Sequence, residues 1–409
     1  FQRAQVTAAD EAFFHWELEF PVAFYDRDGN RIENAGFDAV IGNPPYVSAW
    51  SMTEDDEDLR AAIKSLMQQG ETLSSHWDLY FAFLLRAYEV TKSGDQFSYI
   101  LPNSFCREKY GSNIREFLLE NTVIKEFVTF GTENVFEGVS RQTVVPIFRK
   151  SSNDRSGNIH VLKYSVPQLK IENQKTIRQD RYQQLPGYQF RYEMEPKEFK
   201  ILDMIDDKSL KVGNTCYVNY GAQVSSQESG KYGKEDVVSE TKQNGMFRFF
   251  EGSDIREYSV EWPGLYLDYR SNTMYGPRFP KLFESEKIAI RKVSGENETL
   301  LAGFDDEGLY CDDNTILVVD NDDVVDCDAQ TKFKGFEHTN DPYDLKYVLS
   351  LMNSTIADYY YRRRFSPGSL QGTYSTVYPK HVRSLPLYSI DFRANKENMQ
   401  CIPTELESH

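Results

Sequence analysis

Four consecutive residues, Asn43-Pro44-Pro45-Tyr46, carry the densest chemical information in this 409-residue sequence. Two prolines remove two backbone N–H donors and fix φ, so the stretch can join neither a helix interior nor a strand ladder. What remains is one carboxamide, two carbonyls that following N–H groups cannot tie up, and one aromatic ring. Such a loop is an acceptor-rich wall suited to an exocyclic amino group, and Tyr46 adds a stacking face for a planar ring. An amine whose N–H bonds are held by acceptors has its lone pair oriented for attack on a methyl donor, and it needs little general-base help. The plain alternative is a simple Pro-Pro turn after a strand. A fixed tetrapeptide arises by chance in well under about 1% of chains of this length, which weights the chemical reading.

The surrounding elements must place that loop. Phe37 to Gly42 reads as a short buried strand that ends at Asn43. Residues 77–92 carry an apolar stripe at helical spacing, stopped at Ser93-Gly94. Phe97 to Leu101 reads as a strand ended by Pro102-Asn103, residues 111–120 as a helix, Val123 to Phe130 and Thr143 to Phe148 as strands, and Val135-Phe136 as loop. Alternating strands and helices with short connections mean an α/β sheet, whose sites lie at the carboxyl ends of its strands. The organisation expected is a first domain over residues 1–165, a polar linker over 166–195, and a second, mixed domain over 196–409. In the latter, Lys287 to Val293 and Thr315 to Val319 read as strands, and Tyr343 to Tyr361 reads as one helix with Leu345, Val348, Leu349, Met352, Ile356 and Tyr359 on one side.

Composition is that of a globular protein with 14% aromatic residues. No apolar run is long enough to cross a membrane. The five cysteines are scattered and form no CxxC or Cys/His cluster, so neither a metal site nor a disulfide framework is expected, and a reducing cytoplasmic setting is the default. A chain that opens at Phe1, with neither Met nor a secretory pattern, is expected to be a piece of a longer protein. The net charge of −17 speaks against a phosphate-binding protein as a whole. Charge is clumped, however. Acids gather at 54–58, 305–307 and 320–328, bases at Arg362-Arg363-Arg364 and Lys380 to Arg383. A binding cleft needs only a local basic surface.

From these residues the sequence resembles the amino-methyltransferases of DNA, and most of all the adenine-N6 group found in type IIG restriction-modification enzymes. Phe37-Asp38-Ala39-Val40-Ile41-Gly42-Asn43-Pro44-Pro45-Tyr46 carries the likeness, preceded by Phe14 to Pro21. Asp78-Leu79-Tyr80, Tyr99 to Phe105, and Asn134 to Thr143 follow in the order and approximate spacing of the family's blocks. The fold implied is the C-terminal part of a Rossmann-like methyltransferase domain dependent on S-adenosyl-L-methionine, followed by a mixed α/β target-recognition domain. The resemblance implies that the Asn43 side-chain oxygen and the Pro44 carbonyl hold the adenine amino group. Tyr46 would stack on one face of the base and Phe136 contact the other. Asp38 and Asn43 would face the cofactor. Such an enzyme flips its target out of the duplex. Nothing before Phe37 has the form of the family's cofactor-binding glycine loop, so the main part of that pocket is expected outside this chain, in the N-terminal part of the same parent protein.

The second domain resembles the family's recognition module through Asn219 to Val224, Glu251 to Tyr258, Leu349 to Ser354 and Tyr378 to Leu387. It would read double-stranded DNA by base edges and backbone. Candidate contacts are Arg270, Arg278, Arg362, Arg363, Arg364, Gln371, Lys380 and Arg383, with Thr373, Tyr374 and His381 beside them. His15 and His76 are isolated and read as packing residues. Two other readings stay open: an Asn-Pro-Pro-Tyr methyltransferase acting on a protein glutamine or an RNA base, and a DNA-recognition module without activity of its own.

Overall fold

The computed structural model describes residues 14–48, 61, 77–131, 133, 135–136, 142–151, 157–207, 209–293, 300–325, 327, 339, 343–365 and 376–388. The chain divides into two compact units, Phe1–Phe199 and Lys200–His409. His76, Gln371, Thr373, Tyr374 and the acidic stretch 54–58 lie outside the described residues.

Unit 1 is one seven-stranded sheet. Its strands are β1 (Phe37–Gly42), β2 (Thr91–Tyr99), β3 (Leu101–Pro102), β4 (Thr122–Thr129), β5 (Thr143–Lys150), β6 (Asn158–Tyr164) and β7 (Ile171–Arg178), in the order β1-β2-β5-β4-β6-β7 with β3 on β5. The pairs β1·β2 and β4·β6 are parallel, while β5 runs antiparallel to both neighbours. The carboxyl ends of β1, β2, β4 and β6 therefore share one end of the sheet with the start of β5. Helices α3 (Tyr80–Val90) and α4 (Ser112–Asn121) supply its core, through Tyr80, Phe81, Leu84 and Ala87 and through Ile114, Leu118 and Leu119. Phe97 and Phe148 stack between neighbouring strands at 5.2 Å. Near the start of the described chain lie two short helices, α1 (Trp16–Glu19) and α2 (Pro21–Phe24).

A single device ends both long helices. The Thr91 hydroxyl donates to the Ala87 carbonyl and the Thr122 hydroxyl to the Leu118 carbonyl, each at 2.6 Å, and each threonine then turns extended. Helix α3 thus stops at Val90, ahead of the expected Ser93-Gly94 stop, and β2 starts six residues before Phe97. Strand β1 forms where expected but is not buried: Ile41 is 83% exposed, because among the described residues β1 pairs only with β2.

The expected linker, 166–195, is corrected. It contains β7, which pairs antiparallel with β6 from Asn158↔Arg178 to Tyr164↔Ile171. It also buries Tyr182, Phe190, Tyr192 and Met194. Its polar texture is that of an edge strand with its side chains in water. Arg115, fully buried, binds this segment down: its guanidinium donates to the carbonyls of Phe105, Glu108 and Gly187 at 2.7–3.1 Å. The boundary between the units falls inside α5 (Pro196–Asp207).

Unit 2 holds a six-stranded sheet in the order Ile255–Arg256, Tyr258–Val260, Ala302–Asp305, Lys287–Arg291, Thr315–Asp320, Cys216–Tyr220. A four-stranded sheet runs Val238–Ser239, Leu265–Leu267, Phe247–Phe250, Tyr310–Cys311. Lys287 and Asp305 form a buried ion pair at 2.5 Å, and the Asp305 carboxylate also accepts the Glu307 and Leu309 N–H groups. The expected single helix 343–361 is two, α6 (Leu345–Met352) and α7 (Thr355–Arg364). The break has a cause: the Ser354 hydroxyl caps the Ala357 N–H at 3.2 Å, and the Asn353 carboxamide donates to the Ala302 carbonyl and accepts its N–H. Ile356, expected on the apolar side, is 58% exposed. A third helix, α8 (Pro379–Arg383), follows.

Candidate active site and nucleic-acid face

The Asn43–Tyr46 loop leaves the carboxyl end of β1, as expected. At its start the Gly42 carbonyl accepts the Ile100 N–H at 3.1 Å, and at its end the Val47 carbonyl accepts the Leu79 N–H at 2.8 Å. Gly42 is needed there, since a Cβ would lie 2.9 Å from the Tyr99 ring. Pro44 is buried, Asn43 and Pro45 are exposed, and Tyr46 is half-buried. The Tyr46 hydroxyl donates to the Ile100 carbonyl at 2.9 Å, and its ring meets Tyr80 edge-on at 6.2 Å. These contacts fix the ring plane. Burial pushes the Tyr46 phenol up to about 12, so it stays a neutral donor near neutral pH. Tyr80 belongs to the Asp78-Leu79-Tyr80 block, where Asp78 accepts from the Tyr110 hydroxyl at 2.9 Å. Among the described residues no backbone N–H bonds to the Asn43 or Pro44 carbonyl. The loop thus offers the exposed Asn43 carboxamide, and carbonyls that no backbone N–H among the described residues takes up, beside a fixed ring.

Other turns lie at this same end of the sheet. Pro102 ends β3 and Asn103 follows it, Thr129 ends β4, and Gln142 precedes β5. Phe136 is half-buried in the connection between β4 and β5. Asp38 does not belong with them. It is the second residue of β1, four residues or about 13 Å back along the strand from Gly42. It pairs there with Lys92 at 2.7 Å, and that lysine holds its carboxyl below the usual range. Among the described residues, the two expected cofactor contacts, Asp38 and Asn43, thus do not come together as one site for S-adenosyl-L-methionine. Asn43 is the one expected cofactor contact at the right end of the strand. Among the described residues, no group of three or more His, Cys, Asp or Glu is placed to hold a metal ion, and no helix is long and apolar enough to cross a membrane.

In unit 2 the described candidates for DNA contact differ in what holds them. Arg278, Lys380 and Arg383 gather around Tyr220. Arg278 Nε donates to the Tyr220 carbonyl at 3.0 Å, and Arg383 donates to the Val218 carbonyl at 3.1 Å. Lys380 sits 5.9 Å over the ring of Tyr378, which is 43% exposed. Lys292, which the sequence reading passed over, lies 5.0 Å over the Tyr220 ring. Its signal was faint: a lysine directly after the strand ending at Arg291. Arg362 and Arg364 do not form a basic patch with Arg363. Asp358 holds Arg362 at 2.7 Å, Asp206 holds Arg364 at 3.2 Å, and Arg363 lies 5.7 Å over Tyr359. Arg270 is paired with Asp268 at 2.7 Å and lies 5.0 Å over Tyr232. His381 stacks on Phe365 at 4.7 Å, and burial drives its pKa down to about 4, so it adds no positive charge near neutral pH.

Comparison with known proteins bears on both units. Residues 2–136 match the Eco57I restriction-modification methylase family, and residues 247–387 match the TaqI-like C-terminal specificity domain. The chain thus carries an Eco57I-like restriction-modification methylase domain and, after it, a TaqI-like specificity domain. It is 27% identical over 240 residues to the type II restriction enzyme and methyltransferase RM.Eco57I of Escherichia coli, covering 56% of this chain and 22% of that one. It is 23% identical over 385 residues to the putative type II restriction enzyme and methyltransferase RM.MjaORFECS2P of Methanocaldococcus jannaschii, covering 91% of this chain and 28% of that one. The chain therefore spans roughly a quarter of the length of these relatives. Among solved structures, the type IIL restriction-modification enzyme MmeI aligns over 85% of this chain and 45% of its own, at 13% identity and a TM-score of 0.47.

Proposed function

We propose that this chain is the base-capturing and DNA-reading portion of a site-specific adenine-N6 DNA methyltransferase of the restriction-modification class. The observation that carries the reading is the Asn43-Pro44 pair, whose carbonyls no backbone N–H among the described residues takes up, beside the fixed Tyr46 ring at the carboxyl end of β1. S-adenosyl-L-methionine would supply the methyl group. The chain's own work is to hold the amine. The Asn43 carboxamide oxygen and the Pro44 carbonyl accept its two N–H bonds, which aims the nitrogen lone pair outward. Tyr46 stacks on one face of the extruded adenine and Phe136 covers the other. Asp38 has no part in this, since it is spent on Lys92. Unit 2 grips duplex DNA with the face around Tyr220, where Arg278, Lys292, Lys380 and Arg383 set cationic groups among aromatic rings.

The test is methylation by the full-length protein that carries this chain, with labelled S-adenosyl-L-methionine and mixed genomic DNA. N6-methyladenine confined to one short motif is expected. Asn43→Ala should abolish it while specific DNA binding stays within about threefold. Label on protein or RNA, with none on DNA, overturns the reading.

A further inference from the structure

Two short strands of unit 2, Gln223–Ser226 and Met274–Gly276, belong to neither of its larger sheets and, among the described residues, pair only with each other. They form an antiparallel ribbon with Gln223 opposite Gly276 and Ser226 opposite Met274. The first strand takes three steps where the second takes two, so it carries a bulge, a device that re-aims side chains. Val224 and Met274 are buried and anchor the ribbon, while Gln223 is half-buried and Tyr275 is 64% exposed. Gly276 makes room for Gln223. A Cβ there would lie 3.1 Å from the Gln223 Cβ and 3.7 Å from its Oε1, so the carboxamide lies across the glycine. Among the described residues no group hydrogen-bonds that carboxamide, whereas Gln227 Nε2 donates to the Met274 carbonyl at 2.7 Å. Arginines flank the ribbon in the chain. The Arg270 carbonyl accepts the N–H groups of Thr273 and Met274 at 3.0 Å, and Arg278 Nε donates to the Tyr220 carbonyl, three residues ahead of Gln223. Gln223 therefore stands beside the cationic face around Tyr220. A carboxamide offers one donor and one acceptor side by side, and a two-stranded ribbon fits the major groove, where adenine presents its N6 amino group next to the N7 acceptor.

We propose that this ribbon enters the major groove and that Gln223 is a specificity-determining residue, reading one adenine of the recognition motif other than the one methylated. Its Oε1 accepts from the N6 amino group and its Nε2 donates to N7. Gly276 positions Gln223, because any larger side chain would take the space that the carboxamide uses. The proposal rests on the DNA-reading role given to unit 2 above.

The test is methylation by the full-length protein of duplexes in which each base pair of its motif is replaced in turn. Gln223→Ala should cut discrimination at one A·T pair by about tenfold or more and leave it within about twofold at every other pair. No charge changes, so the slope of log affinity against log salt should hold. Gln223→Glu removes the donor and should turn the preference at that pair toward C, whose N4 amino group suits a carboxylate. At the same position 7-deazaadenine, which lacks N7, should weaken wild type by about fivefold or more and leave Gln223→Ala unaffected. Gly276→Ala should relax that position too. Should Gln223→Ala fail to fold, Gln223→Glu is read by the same scan. Discrimination unchanged at every pair, or lowered equally at all of them, overturns the proposal and leaves the DNA-reading role of unit 2 standing. A wild-type protein that methylates no DNA, or methylates it without sequence preference, overturns both.

Discussion

Replacing Tyr46 by Phe and, separately, by Ala divides the work of the ring from that of the hydroxyl. Tyr46→Phe deletes one neutral hydrogen bond, the 2.9 Å contact with the Ile100 carbonyl. Such a bond contributes about 1 kcal/mol net, and at a half-buried position water can reach the freed carbonyl. The expected loss is about 0.5–1.5 kcal/mol of stability and roughly three- to tenfold in kcat/KM, through a looser ring. Tyr46→Ala also removes the stacking face, which is worth about 1–3 kcal/mol per base by alanine substitution. The sum, about 2–4 kcal/mol, corresponds to a fall of roughly 30- to 1000-fold in methylation. The assay is single-turnover transfer of labelled methyl to a duplex with one site, with DNA affinity measured in parallel. If unit 2 holds the duplex, affinity should change by less than about threefold in both variants. A Phe variant as damaged as the Ala variant would mean that the hydroxyl, not the ring, does the work. An Ala variant within about threefold of wild type would remove Tyr46 from the site.

Three further predictions concern the frame and the DNA face. Arg115→Ala should cost about 3–5 kcal/mol in denaturant unfolding, because it opens a cavity and strands the carbonyls of Phe105, Glu108 and Gly187; a loss under about 1 kcal/mol refutes the clamp. His381 has its pKa lowered from 6.5 to about 4, so the folded state refuses a proton that the unfolded chain accepts. Stability should be complete above about pH 6.5 and drain away toward pH 4, by about 3 kcal/mol at most, and His381→Phe should flatten that slope in acid melting curves. Lys380→Ala should lower the magnitude of the slope of log affinity against log salt by about 1, and Lys292→Ala, whose carboxylate partner Asp313 stands at 3.9 Å, should do nearly the same, whereas Arg362→Ala, held by Asp358 at 2.7 Å, should leave it unchanged. Equal effects from all three would restore the Arg362–Arg364 run as the phosphate contact.

Much of the site was legible in the residues themselves. A Pro-Pro pair after an apolar strand can only be a loop at the strand's end, so Asn43 to Tyr46 land where local chemistry puts them. The 3.6-residue stripe from Tyr80 likewise dictates α3, and the strand at Thr143 forms where its β-branched run begins. What a sequence does not display is a partner distant along the chain. Asp38 looks like a cofactor ligand until Lys92 arrives beside it from the parallel strand β2. The three consecutive arginines look like one basic patch until Asp206, over 150 residues away, takes Arg364. Residues 171–178 look like linker because an edge strand needs no second apolar face. The apolar pattern of 343–361 runs straight through Asn353-Ser354, and the break there depends on Ala302, a backbone partner that only the folded sheet delivers. Local conformation follows from each residue's own sterics and hydrogen-bonding groups, which the sequence states. Charge pairing, burial and the register that sets Gln223 opposite Gly276 depend on which surfaces meet, and only the tertiary structure decides that.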